Sequence, residues 1–241
     1  MALAQESPEM VRVDGGKLKL FYPSNPKEKE VSVSSFFMDR YPVTQQEFLE
    51  FVKKYPAWSR DQISPLFADK NYLSHWEKPN LLGKKNRPQQ PVTNISWFAA
   101  KAYCQSQNKR LPTESEWEYA AQASETNPQA WEDVQWRARV LEWYARPAPK
   151  IFPNIGEGSP NYWGIYDLHG LVWEWVLDFN SNLLAMDPRE SGDANRMRFC
   201  GAGALLATEK EDYPTFMRMA FRSSLKAMYT ASHLGFRCVR I

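Results

Sequence analysis

Apolar residues recur at helical spacing, each time behind a polar cap, in three stretches of the chain. Thr44 and Glu47 match a capping box, and the apolar positions behind them predict a helix over about 45–54. Thr113 and Glu116 match a second capping box and predict another helix. Both helices are therefore predicted from local signals at their first turns.

The third stretch lies between these two helices. It places Trp97, Ala100 and Cys104 on one stripe, behind a cap at Asn94 or Ser96. This pattern predicts a helix with one buried face.

A fourth region, 131–144, fits two structures. Val134 and Ala138 fall at helical spacing, but the three Trp of the region would also hold an ordered loop. Residues 55–90 show no period and predict a long ordered loop, in which His75 is interpreted as a surface residue without a role.

Strand patterns occur near both ends of the chain. Residues 11–22 alternate around Gly15-Gly16 and predict a hairpin, followed by a strand over 31–39. Further strands are predicted at 197–201, 216–223 and 235–240.

The stretch from Asn161 to Phe179 combines many aromatic residues with two glycines, which predicts a buried, irregular centre. Glu174 lies there between Trp173 and Trp175. A carboxylate in such surroundings needs a cation, a metal or several hydrogen-bond donors to stay charged. A buried salt bridge to an arginine and a metal site both satisfy this requirement.

Composition indicates one compact domain with long ordered loops. The 241 residues include 17 Pro but only 11 Gly, and 14% are aromatic. A formal net charge of +2 gives no electrostatic case for nucleic acid. No apolar run approaches the ~20 residues of a membrane span.

The first residues suggest export. Met-Ala-Leu-Ala-Gln resembles the end of a cleaved signal, so residues 1–10 are predicted to be a tail and 11–241 the domain. This favours a periplasmic or secreted protein.

The chain has three cysteines, Cys104, Cys200 and Cys238. No two of them have the spacing of a zinc site, which leaves zinc weakly supported. A Cys104–Cys238 disulfide would close a loop of more than about 100 residues, worth roughly 4 to 5 kcal/mol. Such a bond persists only in an oxidising compartment.

Five stretches of sequence, in this order, resemble one known family, the sulfatase-modifying, formylglycine-generating enzymes. They are Phe36-Phe37-Met38-Asp39-Arg40-Tyr41-Pro42-Val43-Thr44, Pro91-Val92-Thr93-Asn94-Ile95-Ser96-Trp97 with Ala102-Tyr103-Cys104, Lys109-Arg110-Leu111-Pro112-Thr113-Glu114-Ser115-Glu116-Trp117-Glu118, Gly164-Ile165-Tyr166-Asp167-Leu168-His169-Gly170-Leu171-Val172-Trp173-Glu174-Trp175 and Leu234-Gly235-Phe236-Arg237-Cys238. The resemblance implies a single irregular α+β domain related to the C-type lectin fold. It also implies that Cys104 and Cys238 form the structural disulfide of the family's secreted members.

The family resemblance is weakest at the residues that would form the catalytic copper site. Formylglycine-generating members oxidise a substrate cysteine with O2, using copper(I) held by two cysteines that follow an Arg-x-Gly-Gly-Ser-aromatic stretch. The matching stretch here contains Gly203 and Ala204, and no cysteine follows it. Cys200, just before it, is interpreted as a small buried residue, with a catalytic residue as the alternative. The predicted cleft contains Cys200, Gly203, Ala204 and Trp173.

The resemblance also implies a calcium site. The family builds it from the Asn of Gly-Asn-Val-Trp-Glu-Trp, backbone carbonyls and the Glu. The predicted metal residues are Gly170, Val172 and Glu174, with His169 interpreted as replacing the Asn. Calcium prefers oxygen donors, so an imidazole would weaken or convert the site.

Two functions follow from this interpretation. The first is an exported, non-catalytic binding or accessory factor with a protein or peptide partner. The second is a divergent oxidase with copper or iron, in which His169, His233 and Glu174 would have to converge. A third possibility is that Glu174, Asp167 and Asp178 hold a structural cation in an accessory factor for a metalloenzyme.

Overall fold

The computed structural model describes residues 10–20, 30–179 and 213–241. The described strands are β1 (Met10–Val13), β2 (Gly16–Lys19), β3 (Glu30–Val33), β4 (Phe36–Asp39), β5 (Trp173–Glu174), β6 (Leu234–Gly235) and β7 (Val239–Arg240). The described helices are α1 (Gln45–Lys54), α2 (Trp97–Ser106), α3 (Glu114–Ala121), α4 (Val134–Ala145) and α5 (Tyr213–Ser224), with a 3-10 turn at Pro56–Trp58. Mixed short helices and strands confirm the predicted α+β class.

The first four strands form one long antiparallel ladder. β1 pairs with β4 and β2 pairs with β3, and the register continues unchanged from one pair to the next. The predicted hairpin at Gly15-Gly16 is therefore wrong, because the chain continues past these glycines instead of reversing. A side chain at Gly15 would lie 2.6 Å from the carbonyl oxygen of Val33, so glycine allows close approach of the opposite strand.

The C-terminal strand is the third strand of the sheet that contains β1 and β4. β7 pairs with β4, giving the order β1-β4-β7, while β5 and β6 form a separate parallel pair. A disulfide joins Cys104 of α2 to Cys238, beside β7, and the two cysteines are 134 positions apart in the sequence. The pairing is the one implied by the family resemblance, and it ties the last strand to the helical side of the core.

The helices largely match their predictions. α1 and α3 begin behind the capping boxes of Thr44 with Glu47 and of Thr113 with Glu116. α2 is capped by Ser96, the second of the two predicted alternatives. The undecided region contains a helix, α4, whose N-terminus is capped by the Asp133 side chain.

Of the three later strand predictions, one is interrupted, one is wrong and one lies outside the described residues. Over 235–240 the chain has strands only at Leu234–Gly235 and Val239–Arg240. The stretch 216–223 belongs to helix α5, not to a strand. Its buried residues include Arg218 and Arg222, four positions apart on one helical face. The predicted strand 197–201 is not among the described residues.

The core is rich in large aromatic side chains. Trp117 and Trp175 are among the largest buried residues. Phe48 of α1 packs against Tyr103 of α2 and Phe236, with ring centroids 5.8 and 6.1 Å apart. Because the strands are short, contacts of this kind rather than extended sheets hold the irregular segments in place.

Candidate functional site

The predicted irregular centre is organised by an ion pair. Arg237 donates from Nε to both Glu174 oxygens, at 3.0 and 2.9 Å, and from Nη2 to Oε1 at 2.8 Å. Trp117 Nε1 donates to Oε2 at 2.7 Å. Both charged side chains are fully buried. The salt-bridge alternative for Glu174 therefore describes the observed contacts.

A second group of buried charges joins α5 to α3. Arg218 donates to both oxygens of Glu118, and Arg222 donates to Glu118 and Glu114. The two guanidinium groups also lie 5.4 and 4.7 Å from the Trp117 ring centroid. Burial opposes ionisation of Glu118, but the arginines outweigh it and lower its pKa to about 2.

His169 lies beside these charges among aromatic rings. Its Nε2 contacts the Ala121 carbonyl oxygen at 2.8 Å, and because a carbonyl only accepts, Nε2 carries the proton. Nδ1 is buried, and no described residue forms a hydrogen bond with it. Burial, with a smaller effect of the nearby Arg218, lowers the pKa of His169 to about 4. The ring is therefore neutral at pH 7, with a lone pair on Nδ1.

The predicted cleft is only partly within the described residues. Cys200, Gly203 and Ala204 lie outside them, and Trp173 lies inside. Trp173 belongs to a half-buried group that we call the aromatic surface, composed of Trp143, Tyr144, Trp173, Phe221 and His233. The Trp173 centroid is 4.4 Å from that of Phe221 and 5.3 Å from that of Tyr144. His233 extends the surface, 5.7 Å from Phe221.

Trp143 also lines a cavity of about 420 Å³. The other lining residues come from α4, the loop 159–170 and residues 121–125. Asp167 and His169 both line it. Burial raises the pKa of Asp167, against a hydrogen bond from Gly156 N. Asp167 and His169 of the predicted sites thus lie in one cavity, whereas Glu174 faces Arg237.

The residues present give mixed support for calcium. When the family motif Gly-Asn-Val-Trp-Glu-Trp is aligned with this sequence at Gly170 and Trp173, its Asn corresponds to Leu171 and not to His169. Leu171 is buried and offers no side-chain oxygen. The Glu174 carboxylate is already occupied by Arg237 and Trp117. Calcium binding stays a prediction that depends on the backbone carbonyls of Gly170 and Val172.

Copper held by two thiolates does not fit the chain's own cysteines. Three cysteines are present, and Cys104 and Cys238 are joined to each other. Cys200 alone remains to provide a thiolate. Among the residues that the structure describes, no group of three or more His, Cys, Asp or Glu is placed to hold a metal.

Comparison with known proteins decides the family. A profile of the sulfatase-modifying factor enzyme 1-like domain matches residues 2–241. The chain belongs to this family. As a member, it is 28% identical over 296 aligned positions to the formylglycine-generating enzyme of Thermomonospora curvata, covering 95% of this chain and 92% of the relative.

Relatives of this family member include a protein described as inactive. The inactive C-alpha-formylglycine-generating enzyme 2 of Mus musculus is 30% identical over 213 positions, covering 71% of this chain and 69% of the relative. Among solved structures, PvdO from Pseudomonas aeruginosa superposes with a TM-score of 0.56 at 20% identity, covering 97% and 94% of the two chains. That likeness confirms the fold. In the described residues, no helix has the length and apolar character needed to cross a bilayer.

Proposed function

We propose that this family member is an exported, non-catalytic binding or accessory factor that does not make formylglycine. The observation that carries the proposal is the cysteine count. With Cys104 and Cys238 joined in a disulfide, one thiol remains, and a two-thiolate copper(I) site cannot be completed from the chain itself. Soft thiolate donors are not easily replaced by nitrogen or oxygen for this ion.

Two further observations support the proposal. A relative named as inactive shows that the scaffold is used without formylglycine activity. The disulfide supports export, because such bonds persist in oxidising compartments.

The aromatic surface is the best-supported contact area for a protein or peptide partner. It combines two half-buried Trp with Tyr144 and Phe221 on three different elements of the fold. Tyr and Trp are enriched at protein interfaces, since they provide large apolar area and a polar handle.

Incubation with copper(I), O2 and a Cys-x-Pro-x-Arg peptide tests the proposal. We expect the peptide thiol to remain unchanged by mass spectrometry, while the Thermomonospora curvata enzyme converts it in parallel. Thiol titration of the unfolded, non-reduced protein should give one thiol per chain. A formylglycine product, or three free thiols, would refute the proposal.

The alternative is a divergent copper- or iron-dependent oxidase acting on a peptide or small molecule. The side chains that would have to bind the metal already have other partners, because Glu174 accepts from Arg237 and His169 contacts Ala121. His233 belongs to the aromatic surface instead. Stoichiometric copper or iron in protein purified without chelator would favour the oxidase over the binding factor.

A further inference from the structure

The cavity beside α4 has an apolar interior. Trp136, Val140 and Trp143 face it from α4, and Ile165 and Leu168 face it from the loop 159–170. Its volume of about 420 Å³ falls within the roughly 300–1,000 Å³ typical of small-molecule sites. The interior therefore suits the hydrocarbon body of a small ligand.

One hydrogen-bond acceptor that lines the same cavity is open to a ligand. Asp167 Oδ2 accepts from the backbone N–H of Gly156 at 2.6 Å, and within the described part of the chain Oδ1 has no hydrogen-bond or ion-pair partner. His169 also lines the cavity, but its Nδ1 atom is buried and its Nε2 donates to Ala121, so neither nitrogen is open to a ligand. Asp167 therefore calls for a ligand that donates hydrogen bonds.

The other charges of the cavity cancel in pairs. Arg139 is paired with Glu125, and Arg146 is paired with Glu142. All four side chains are exposed enough to lie at the rim, with side-chain exposures of 43% to 66%. Among the described residues, Asp167 is the charged side chain of the lining that has no salt bridge, although Arg237 lies near enough to attract it. A ligand with one positive charge is therefore favoured over a neutral or anionic one.

We propose that the cavity binds a small amphipathic primary amine, with its ammonium group at Asp167 and its apolar body between α4 and the loop 159–170. An ammonium group has three donors, of which one meets Asp167 Oδ1 and the others meet solvent. The aromatic walls formed by Trp136 and Trp143 also favour a cation over a neutral group. The cavity shares Trp143 with the aromatic surface, but the proposal does not depend on whether the protein is catalytic.

A matched pair of probes tests the charge requirement. Phenethylamine and 2-phenylethanol have the same ring and chain length and differ in the terminal group. We expect isothermal titration calorimetry to show phenethylamine binding about tenfold or more tightly than the alcohol, as for a charge-assisted hydrogen bond. Equal affinity, or no binding of either probe, would overturn the proposal.

The variant Asp167→Asn tests the residue. Asn keeps an oxygen for Gly156 N–H and suits the left-handed backbone of this position, whose φ is +61°. We expect this variant to bind phenethylamine about tenfold more weakly, with the weak binding of 2-phenylethanol unchanged. An unchanged amine affinity would assign the binding to another place on the protein.

Two controls complete the experiment. Glu50→Gln on α1 makes the same change of charge away from the cavity and should leave both affinities unchanged. Nα-acetyl-lysine amide offers the ammonium group as a protein side chain would. If it binds more tightly than phenethylamine, the occupant is a lysine of a partner protein and the small-amine proposal fails.

Discussion

Glu174 and Arg237 pair across 63 positions of sequence with both side chains excluded from solvent. Arg237 also donates to the carbonyl oxygens of Asp39, Arg40 and Tyr166, at 3.2, 3.3 and 2.9 Å. One guanidinium group thus joins the end of β4, the loop before β5, and the segment between β6 and β7. Backbone hydrogen bonds from Asp39 N to Cys238 O and from Tyr166 N to Arg40 O join the same segments, and the guanidinium group adds side-chain contacts to them.

We predict that Arg237→Met destabilises the protein by about 3–5 kcal/mol, because it leaves the Glu174 carboxylate buried without a cation. Adding Glu174→Gln should recover part of this loss, since a neutral amide still accepts from Trp117 and no longer carries a buried charge. Urea denaturation of both single variants and the double variant measures the coupling. Strictly additive effects would show that the two side chains do not depend on each other.

A second prediction contrasts a buried charge cluster with an exposed pair. Glu118→Gln should cost about 3–5 kcal/mol, because Arg218 and Arg222 then remain buried without their shared carboxylate. Glu125→Gln removes the same charge from an exposed pair with Arg139 and should cost about 0–1 kcal/mol. Similar costs for the two variants would contradict this assignment.

The pH dependence of the Glu118 variant provides an internal check. The arginines hold the pKa of Glu118 at about 2, below its usual 4.5. Its stabilising effect is therefore complete above pH 4.5 and is lost as the pH falls through 2. The difference in the free energy of unfolding between wild type and Glu118→Gln should decrease by up to about 2 kcal/mol from pH 7 to pH 3.

The sequence predicts those parts of the fold that are decided locally. The N-terminal caps of α1 and α3 use residues only three positions apart, and both were predicted. The stretch 216–223 is rich in apolar residues, as a strand often is, and it also places Arg218 and Arg222 four positions apart. What selects the helix is their pairing with Glu118, about 100 positions away, which no local pattern shows.

In the candidate site, too, the sequence predicts what neighbouring residues decide and misses what distant contacts decide. Aromatic neighbours of Glu174 indicated that it was buried and needed a partner, but they did not indicate that the partner was Arg237. The Cys104–Cys238 pair was implied by the family resemblance. His169 and Asp167 were singled out for a metal, yet their shared cavity depends on α4, a helix that the sequence left undecided.

The prediction that His75 is a surface residue without a role is wrong, because contacts with residues distant in the sequence partly bury its ring. Its Nδ1 lies 3.1 Å from Asn94 Nδ2 and its Nε2 lies 3.2 Å from Gln45 Oε1. An amide nitrogen donates and an amide oxygen accepts, so the neutral ring with its proton on Nε2 satisfies both partners. Burial, and secondarily the charge of Arg60, lower the pKa of His75 to about 4.

A loss of stability in mild acid follows from this neutral histidine. Between its unfolded pKa of about 6.5 and its folded pKa of about 4, the unfolded chain binds more protons, so stability falls as the pH drops. Because of His75, the free energy of unfolding should decrease by up to about 2 kcal/mol from pH 7 to pH 5. NMR titration of the imidazole Cε1–H signals, with His75→Gln to assign the one that disappears, measures the pKa directly. A midpoint near 6.5 for that signal would mean that the ring is free to charge in the native state, and the Gln45 and Asn94 contacts would then not hold it neutral.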